Sequence, residues 1–399
     1  MAFEKIGLSF IGTGEYSETN YQYEGKSCKT NLFSNAFSTF IDFEKVFLAM
    51  TEKAKEKHIN SISLDCNYEI IDIPIGKTED ELWSIFDSIT KKIPEECSLS
   101  IDVTHAFRSL PMIGLSIAVY LRKAKNVEVN SILYGAYEAR NTENNETPVF
   151  DLTSFLELID WSVATNQFIK HGNASYLKEI LSGIHRNSYV NNLPYKPQAL
   201  ANIGNQLNEL SEALSLARIK EAQEISSRLP KLIESSKTDI NNINKAIPFQ
   251  NLVQRIPDRF NQLLNSGHDL FSKQGFMAQI NMVNFYLDTE NYMQAITLSR
   301  EMIVSLICSK EKKDPLDLNE RKSIESTLFC YTQLLKENKI RGFDKELAEI
   351  WEKVTDIRND ICHNGMRKGS SNKNTAIKSV KEKCNLVINL ISKYFNDDK

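Results

Sequence analysis

Near residue 153 the sequence changes its period, and that change limits the folds open to it. Before it, short runs rich in Ile, Val, Leu and Phe alternate with stretches of helical spacing; after it, apolar residues recur at helical spacing only. KIGLSFI (5–11), NSISLD (60–65), IIDIPIG (70–76), SLSIDVT (98–104) and VEVNSILYG (127–135) read as strands. The stretches 42–57, 78–92 and 107–124 read as helices, with Asp42 and Thr78 as N-caps. Strands alternating with helices predict an α/β, Rossmann-like first part with a mostly parallel sheet covered on both faces. The rest is expected to be all-helical, broken at 191–197, 246–249, 254–260 and 264–270.

A chain of 399 residues is too long for one ordinary core, and three domains are expected, 1–152, 153–270 and 271–399. With 41% hydrophobic and 25% charged residues the composition is that of a soluble globular chain. No apolar run is long enough to span a membrane and no leader pattern is visible, so a cytoplasmic protein with no membrane partner is expected. Seven scattered Cys, none spaced as a CxxC pair, suggest neither a disulfide framework nor a zinc site. A net charge of −4 excludes a surface coated with basic residues, so any polyanion must be met locally. Residues 351–399 hold ten Lys or Arg and six Asp or Glu, a local net of +4.

The two terminal helices have the clearest pattern. Leu347, Ile350, Val354, Ile357 and Ile361 step by three and four, as do Ile377, Val380, Cys384, Val387, Ile391 and Tyr394. Such stripes pack helices in bundles or in dimers. The intervening NGMRKGSSNKN (364–374) suits an antiparallel hairpin, with Asn364-Gly365 marking a helix end.

Three stretches could carry chemistry. Gly12-Thr13-Gly14 follows the first strand, where backbone N–H groups can approach phosphate, although the same glycines suit a plain tight turn. In SIDVTHAFRSLP (100–111) a buried strand ends and a helix begins, which places Asp102, Thr104, His105, Ala106 and Arg108 where open parallel sheets bind ligands. Thr104 could equally be a helix cap and His105 a surface residue. In DIRNDICHNG (356–365), Arg358 and His363 lie five apart, about 140° around a regular helix, with Asn359 between them. Spacing alone leaves that pair open between a site and a surface pair complementing the helix dipole.

Taken in order, GTG after the first strand, DxTH after a middle strand and R-x-x-x-x-H in a helical C-terminal region resemble the CRISPR-associated CARF–HEPN ribonucleases of type III systems. The resemblance implies a CARF ligand-sensing domain at 1–152, a helical linker at 153–270 and a HEPN helical bundle at 271–399. It also implies a homodimer, or a higher even-numbered assembly, that cuts single-stranded RNA without a metal or other cofactor and does not act on DNA. The implied activator is a cyclic oligoadenylate, cyclic tetra-adenylate first, held by Gly12, Thr13, Gly14, Asp102, Thr104, His105 and Ala106. Arg358, His363 and Asn359 are the implied catalytic set. Ala106 stands where the family's signature has Gly, which bears on activator ring size and on any cleavage of the activator by this domain.

Two other functions were open on the residues. One is a non-catalytic sensor that signals through its helical half. The other is a helical-repeat interaction protein, suggested by the tetratricopeptide-like NFYLDTENYMQAITLSREMI (284–303).

Overall fold

The computed structural model describes residues 3–105, 110–260, 269–366 and 368–397. The chain divides into two compact units, Met1–Ile159 and Asp160–Lys399.

The first unit is built on β1 (Lys5–Ile11), a hairpin of β2 (Thr19–Tyr23) and β3 (Lys26–Thr30), α1 (Phe33–Phe40), β4 (Lys45–Met50), α2 (Glu52–His58), β5 (Asn67–Asp72), α3 (Glu79–Lys92), β6 (Ser98–His105), α4 (Leu110–Ala124), β7 (Glu128–Gly135) and β8 (Glu146–Asp151). The eight strands form one sheet ordered β3-β2-β8-β7-β6-β1-β4-β5. Its centre, β7-β6-β1-β4-β5, is parallel. The β2–β3 and β7–β8 pairs are antiparallel. From β1 the chain winds outward through β4 and β5, then returns across the sheet to β6 and β7. The winding therefore reverses between β1 and β6, the point at which open α/β sheets leave a crevice beyond the strand ends. β4 is a continuous apolar run because both faces of the sheet are covered: Phe47 and Ala49 pack on one face, Val46, Leu48 and Met50 on the other, and all are buried.

Several expectations are corrected here. Residues 42–57 are not one helix with Asp42 as its cap; they form β4 and then α2, whose N-cap is Thr51, accepting from the Ala54 N–H. Residues 60–65 form no strand: Ile62 and Leu64 pack against the α1 side of the core, but their backbone pairs with no neighbour in the sheet. The strand expected at 70–76 is shifted to β5. The hairpin β2–β3 and β8 were not foreseen. Thr78 does cap α3, accepting from the Glu81 N–H at 3.2 Å.

The second unit is helical: α5 (Ser154–His171), entered from the first unit, α6 (Ser175–Val190), α7 (Leu200–Ser215), α8 (Ile219–Asn242), α9 (Ile247–Phe260), α10 (Lys273–Asp288), α11 (Tyr292–Lys310), α12 (Leu318–Lys336), α13 (Gly342–Cys362) and α14 (Lys373–Asp397). One apolar cluster runs from Trp161 on α5 to Ile391 on α14. The breaks expected at 246–249 and 254–260 instead fall within or at the start of α9. Pro248 is in its first turn, where the missing N–H costs nothing; the break expected at 264–270 lies almost wholly outside the described residues.

The tetratricopeptide-like stretch becomes α10 and α11, but α11 is buried on nearly every side, from Ala295 and Ile296 to Leu306 and Cys308. It packs against α10, α12, α13 and α14, so it is the central helix of a bundle and not one layer of an open stack. The two terminal stripes are used in the same way. Leu347, Val354, Val380, Cys384, Val387 and Ile391 are fully buried within their own chain, which leaves them unavailable as a dimer surface.

Candidate functional site

The turn after β1 and the end of β6 meet at the winding reversal. Parallel pairing sets Ser9 opposite Asp102 and Ile11 opposite His105, and the Gly12 N–H continues the ladder to the His105 carbonyl at 2.9 Å. Gly12, Thr13, Gly14, Thr104 and His105 therefore share one corner of the first unit. Ala106 and Arg108 lie outside the described residues.

The side chains there have different jobs. Asp102 is fully buried; one carboxylate oxygen accepts from the Ser9 hydroxyl at 2.5 Å and the other from the Thr104 N–H at 2.7 Å. Burial raises its carboxyl to about 6, against the lowering effect of those two donors. Asp102 is thus a brace between strands and faces no open space. The Thr104 hydroxyl accepts from the Gly135 N–H at 2.8 Å, joining β6 to the end of β7. His105 accepts from the Phe33 N–H through Nε2 at 3.0 Å. Its desolvation lowers the imidazole to about 4, helped by the nearby His58, so the ring is neutral at pH 7 and ties β6 to the start of α1.

Sequence reasoning missed the groups that shape the Gly12–Gly14 turn. Tyr16 lies with its ring 3.8 Å from the His105 ring and 5.0 Å from that of His58, centroid to centroid. From α2, Lys57 Nζ donates to the Thr13 carbonyl at 3.1 Å, and His58 Nε2 is 3.1 Å from the Gly14 carbonyl. With those carbonyls held by α2, the turn has a fixed shape. A Cβ at Gly14 would lie 2.8 Å from the Tyr16 ring, so glycine is required there by packing. Tyr16 was visible in GTGEYS, but nothing in its spacing linked it to residue 105; His58 was hidden because its helix had been merged with β4.

In the second unit the Arg358–His363 segment is the last turn of α13. The helix closes with the Gly365 N–H bonded to the Asp360 carbonyl at 3.0 Å and the Asn364 N–H to the Ile361 carbonyl at 2.9 Å. Asn364 is left-handed at φ 55°, which makes this a Schellman cap with His363 as the C-cap residue. Arg358 is half-buried, with Nη1 donating to Asn359 Oδ1 at 3.1 Å and a buried Nε that has no hydrogen-bond partner. His363 is exposed. The structure thus joins Arg358 directly to Asn359 and sets His363 at the mouth of the following loop; no hydrogen bond links His363 to Arg358 among the described residues. One Asp360 carboxylate oxygen accepts from the Ser371 N–H at 3.0 Å, which draws the far arm of the loop back onto this turn. Cys362 Sγ lies 3.9 Å from Thr297 Oγ1 on α11.

A guanidinium can hold an oxyanion and a solvent-facing imidazole can move a proton, and the end of α13 supplies one of each. Among the described residues no three His, Cys, Asp or Glu side chains cluster as a metal site would require, and no helix is long and apolar enough to cross a membrane.

Comparison with known proteins adds two matches. Residues 157–268, the α5–α9 region, match the family model described as CRISPR-associated protein MJ1674, second domain. Over 355 residues the chain is 21% identical to CRISPR-associated protein MJ1674 of Methanocaldococcus jannaschii, covering 88% of this chain and 50% of that protein. The chain therefore spans half the length of this relative. One match local and one running through both units, they support a CRISPR-associated protein.

Proposed function

We propose that the protein is an endoribonuclease that cuts single-stranded RNA when a cyclic oligoadenylate, cyclic tetra-adenylate foremost, occupies the first unit. The observation that carries this reading is the last turn of α13, where Arg358 is fixed by Asn359 and His363 stands exposed at the helix cap. In the reaction the ribose 2′-hydroxyl loses its proton to an imidazole and attacks the adjacent phosphorus. The P–O5′ bond breaks and O5′ takes up a proton, leaving a 2′,3′-cyclic phosphate and a 5′-hydroxyl. Arg358 offsets charge developing on the phosphoryl oxygens, and His363 serves the proton transfer. One Arg and one His form a sparse site, so two copies facing each other across a two-fold axis would supply the second imidazole.

The strand ends of β1 and β6 support the activator half of the reading, since they lie at the reversal of winding and are bordered by the Gly12–Gly14 turn. Activation then requires that the cyclic nucleotide bind more tightly to the dimer geometry in which the Arg–His pairs are competent.

The test is cleavage of a fluorescent single-stranded RNA in EDTA with cyclic tri-, tetra- or hexa-adenylate, using wild type, Arg358→Ala and His363→Ala. Cutting by wild type with one ring, products ending in 2′,3′-cyclic phosphate, and loss of more than about a hundredfold in either variant are expected. Cleavage that survives both substitutions, or none with any ring in protein that binds one, refutes it.

A further inference from the structure

From Ile361 to Lys381 the chain has no Asp or Glu, yet it carries Arg367, Lys368, Lys373, Lys378 and Lys381. This is a run of five positive and no negative residues in a protein of net charge −4. It begins within the last turn of α13, and the Ser371–Asp360 hydrogen bond at 3.0 Å, with the Met366 N–H bonded to the His363 carbonyl at 2.8 Å, folds the loop against that turn. Lys368, Lys373 and Lys378 are exposed and enter no ion pair among the described residues. Lys381 is partly occupied over the Tyr292 ring, 5.6 Å from its centroid.

Elsewhere in the same bundle some exposed lysines are paired and others, such as Lys312, Lys322, Lys345 and Lys353, enter no ion pair among the described residues. Lys393 pairs with Glu346 at 2.8 Å, Lys336 with Glu352 at 3.3 Å and Lys339 with Glu337 at 2.7 Å. What distinguishes the stretch beside the motif is therefore its run of positive residues without an intervening acid, from Ile361 until Glu382, whose carboxyl is lowered by Lys383 first and by Lys378 as well. Such an arrangement repels itself unless a polyanion completes it.

We propose that Lys368, Lys373 and Lys378 form a rail for the sugar–phosphate backbone of the RNA strand being cut, resting on the ribonuclease reading above. The rail is sequence-independent, because lysine meets phosphate as a point charge and reads no base. It lies on the substrate's path past His363.

The experiment separates this from the cleavage reading by measuring binding alone. His363→Ala protein, without and with Lys368→Gln, Lys373→Gln and Lys378→Gln, is titrated against a fluorescein-labelled oligouridylate by anisotropy across salt. A control carries Lys336→Gln, Lys339→Gln and Lys393→Gln. Each lost phosphate contact on a single strand lowers the slope of log K against log salt by about 0.7, so the rail variant should lose about 2 units of slope. Between about 50 and 200 mM salt its affinity should then fall roughly 18-fold less than that of the parent. The control should match the parent. An unchanged slope, an equal change in the control, or no measurable binding by the parent overturns the rail. Wild-type cleavage with activator, run in parallel, shows independently whether the ribonuclease reading stands.

Discussion

Asp102 is fully buried and takes donors from Ser9 and the Thr104 N–H. Asp102→Asn keeps this geometry: the amide oxygen can accept from Thr104 and the amide nitrogen can donate to the Ser9 oxygen once its hydroxyl turns. What the substitution removes is the buried charge. With the carboxyl raised from 3.8 to about 6, and about 1.4 kcal/mol per pK unit, the ionised form costs the fold roughly 3 kcal/mol relative to the protonated one. A carboxyl whose folded pKa is raised gives stability that is present below 3.8 and is lost as pH climbs through about 6. Asp102→Asn should therefore stabilise the first unit at pH 7.5 by up to about 3 kcal/mol. The gain should shrink by about 1.4 kcal/mol at pH 5, where wild type has recovered most of one pK unit. His105 acts in the opposite sense, its imidazole lowered from 6.5 to about 4; its contribution is present above 6.5 and lost as pH falls toward 4. Only the difference between variant and wild type isolates Asp102. Hydrogen exchange of the β6 amides Leu99–Val103 reads that difference for this unit alone. A destabilised variant at pH 7.5, or a difference that does not change with pH, would refute the bracing role.

Three shorter predictions complete the set. Gly14→Ala should push Tyr16 from its place between His58 and His105, weakening cyclic-oligoadenylate affinity while leaving β6 exchange unchanged, as measured by isothermal titration. Leu347→Ala should cost about 2–5 kcal/mol in denaturant unfolding, and by the same amount at every protein concentration, because the stripe is buried within one chain; a cost that varies with concentration would return it to a dimer interface. Thr104→Val should strand the Gly135 N–H and cost about 1–3 kcal/mol in the exchange of β7, whereas Thr104→Ser should not.

What the sequence made legible follows from run length and cap chemistry. β1, β6 and β7 were visible because each is long and rich in Ile, Leu, Val or Phe, and α3 because Thr78 opens it. β4 was lost because KVFLAM is short, is followed at once by a Lys- and Glu-rich helix, and has Asp42 upstream imitating a cap. The alternation in NSISLD was real, since Ile62 and Leu64 do bury one side, but periodicity reports a face and not a hydrogen-bonding neighbour. The β2–β3 hairpin had a local sign in Glu24-Gly25, both with positive φ, in the manner of a two-residue I′ turn. At the first site the sequence placed Thr104 and His105 at the end of a strand, and the contacts they make there were not readable from it. That Asp102 braces, and that α2 supplies Lys57 and His58, depend on registers and crossings that no local pattern encodes. At the second, the motif's place on the last turn of a helix was readable from Asn364-Gly365.

The outer strands of the sheet give it one more property. β3 carries Lys26 and Lys29 along KSCKT, and β5 presents Glu69 held between Lys45 at 2.6 Å and Lys92 at 2.5 Å. A further strand approaching either rim would have to displace or bury charge. These charges oppose edge-to-edge growth of the eight-stranded sheet, and with it strand-mediated aggregation, at both ends.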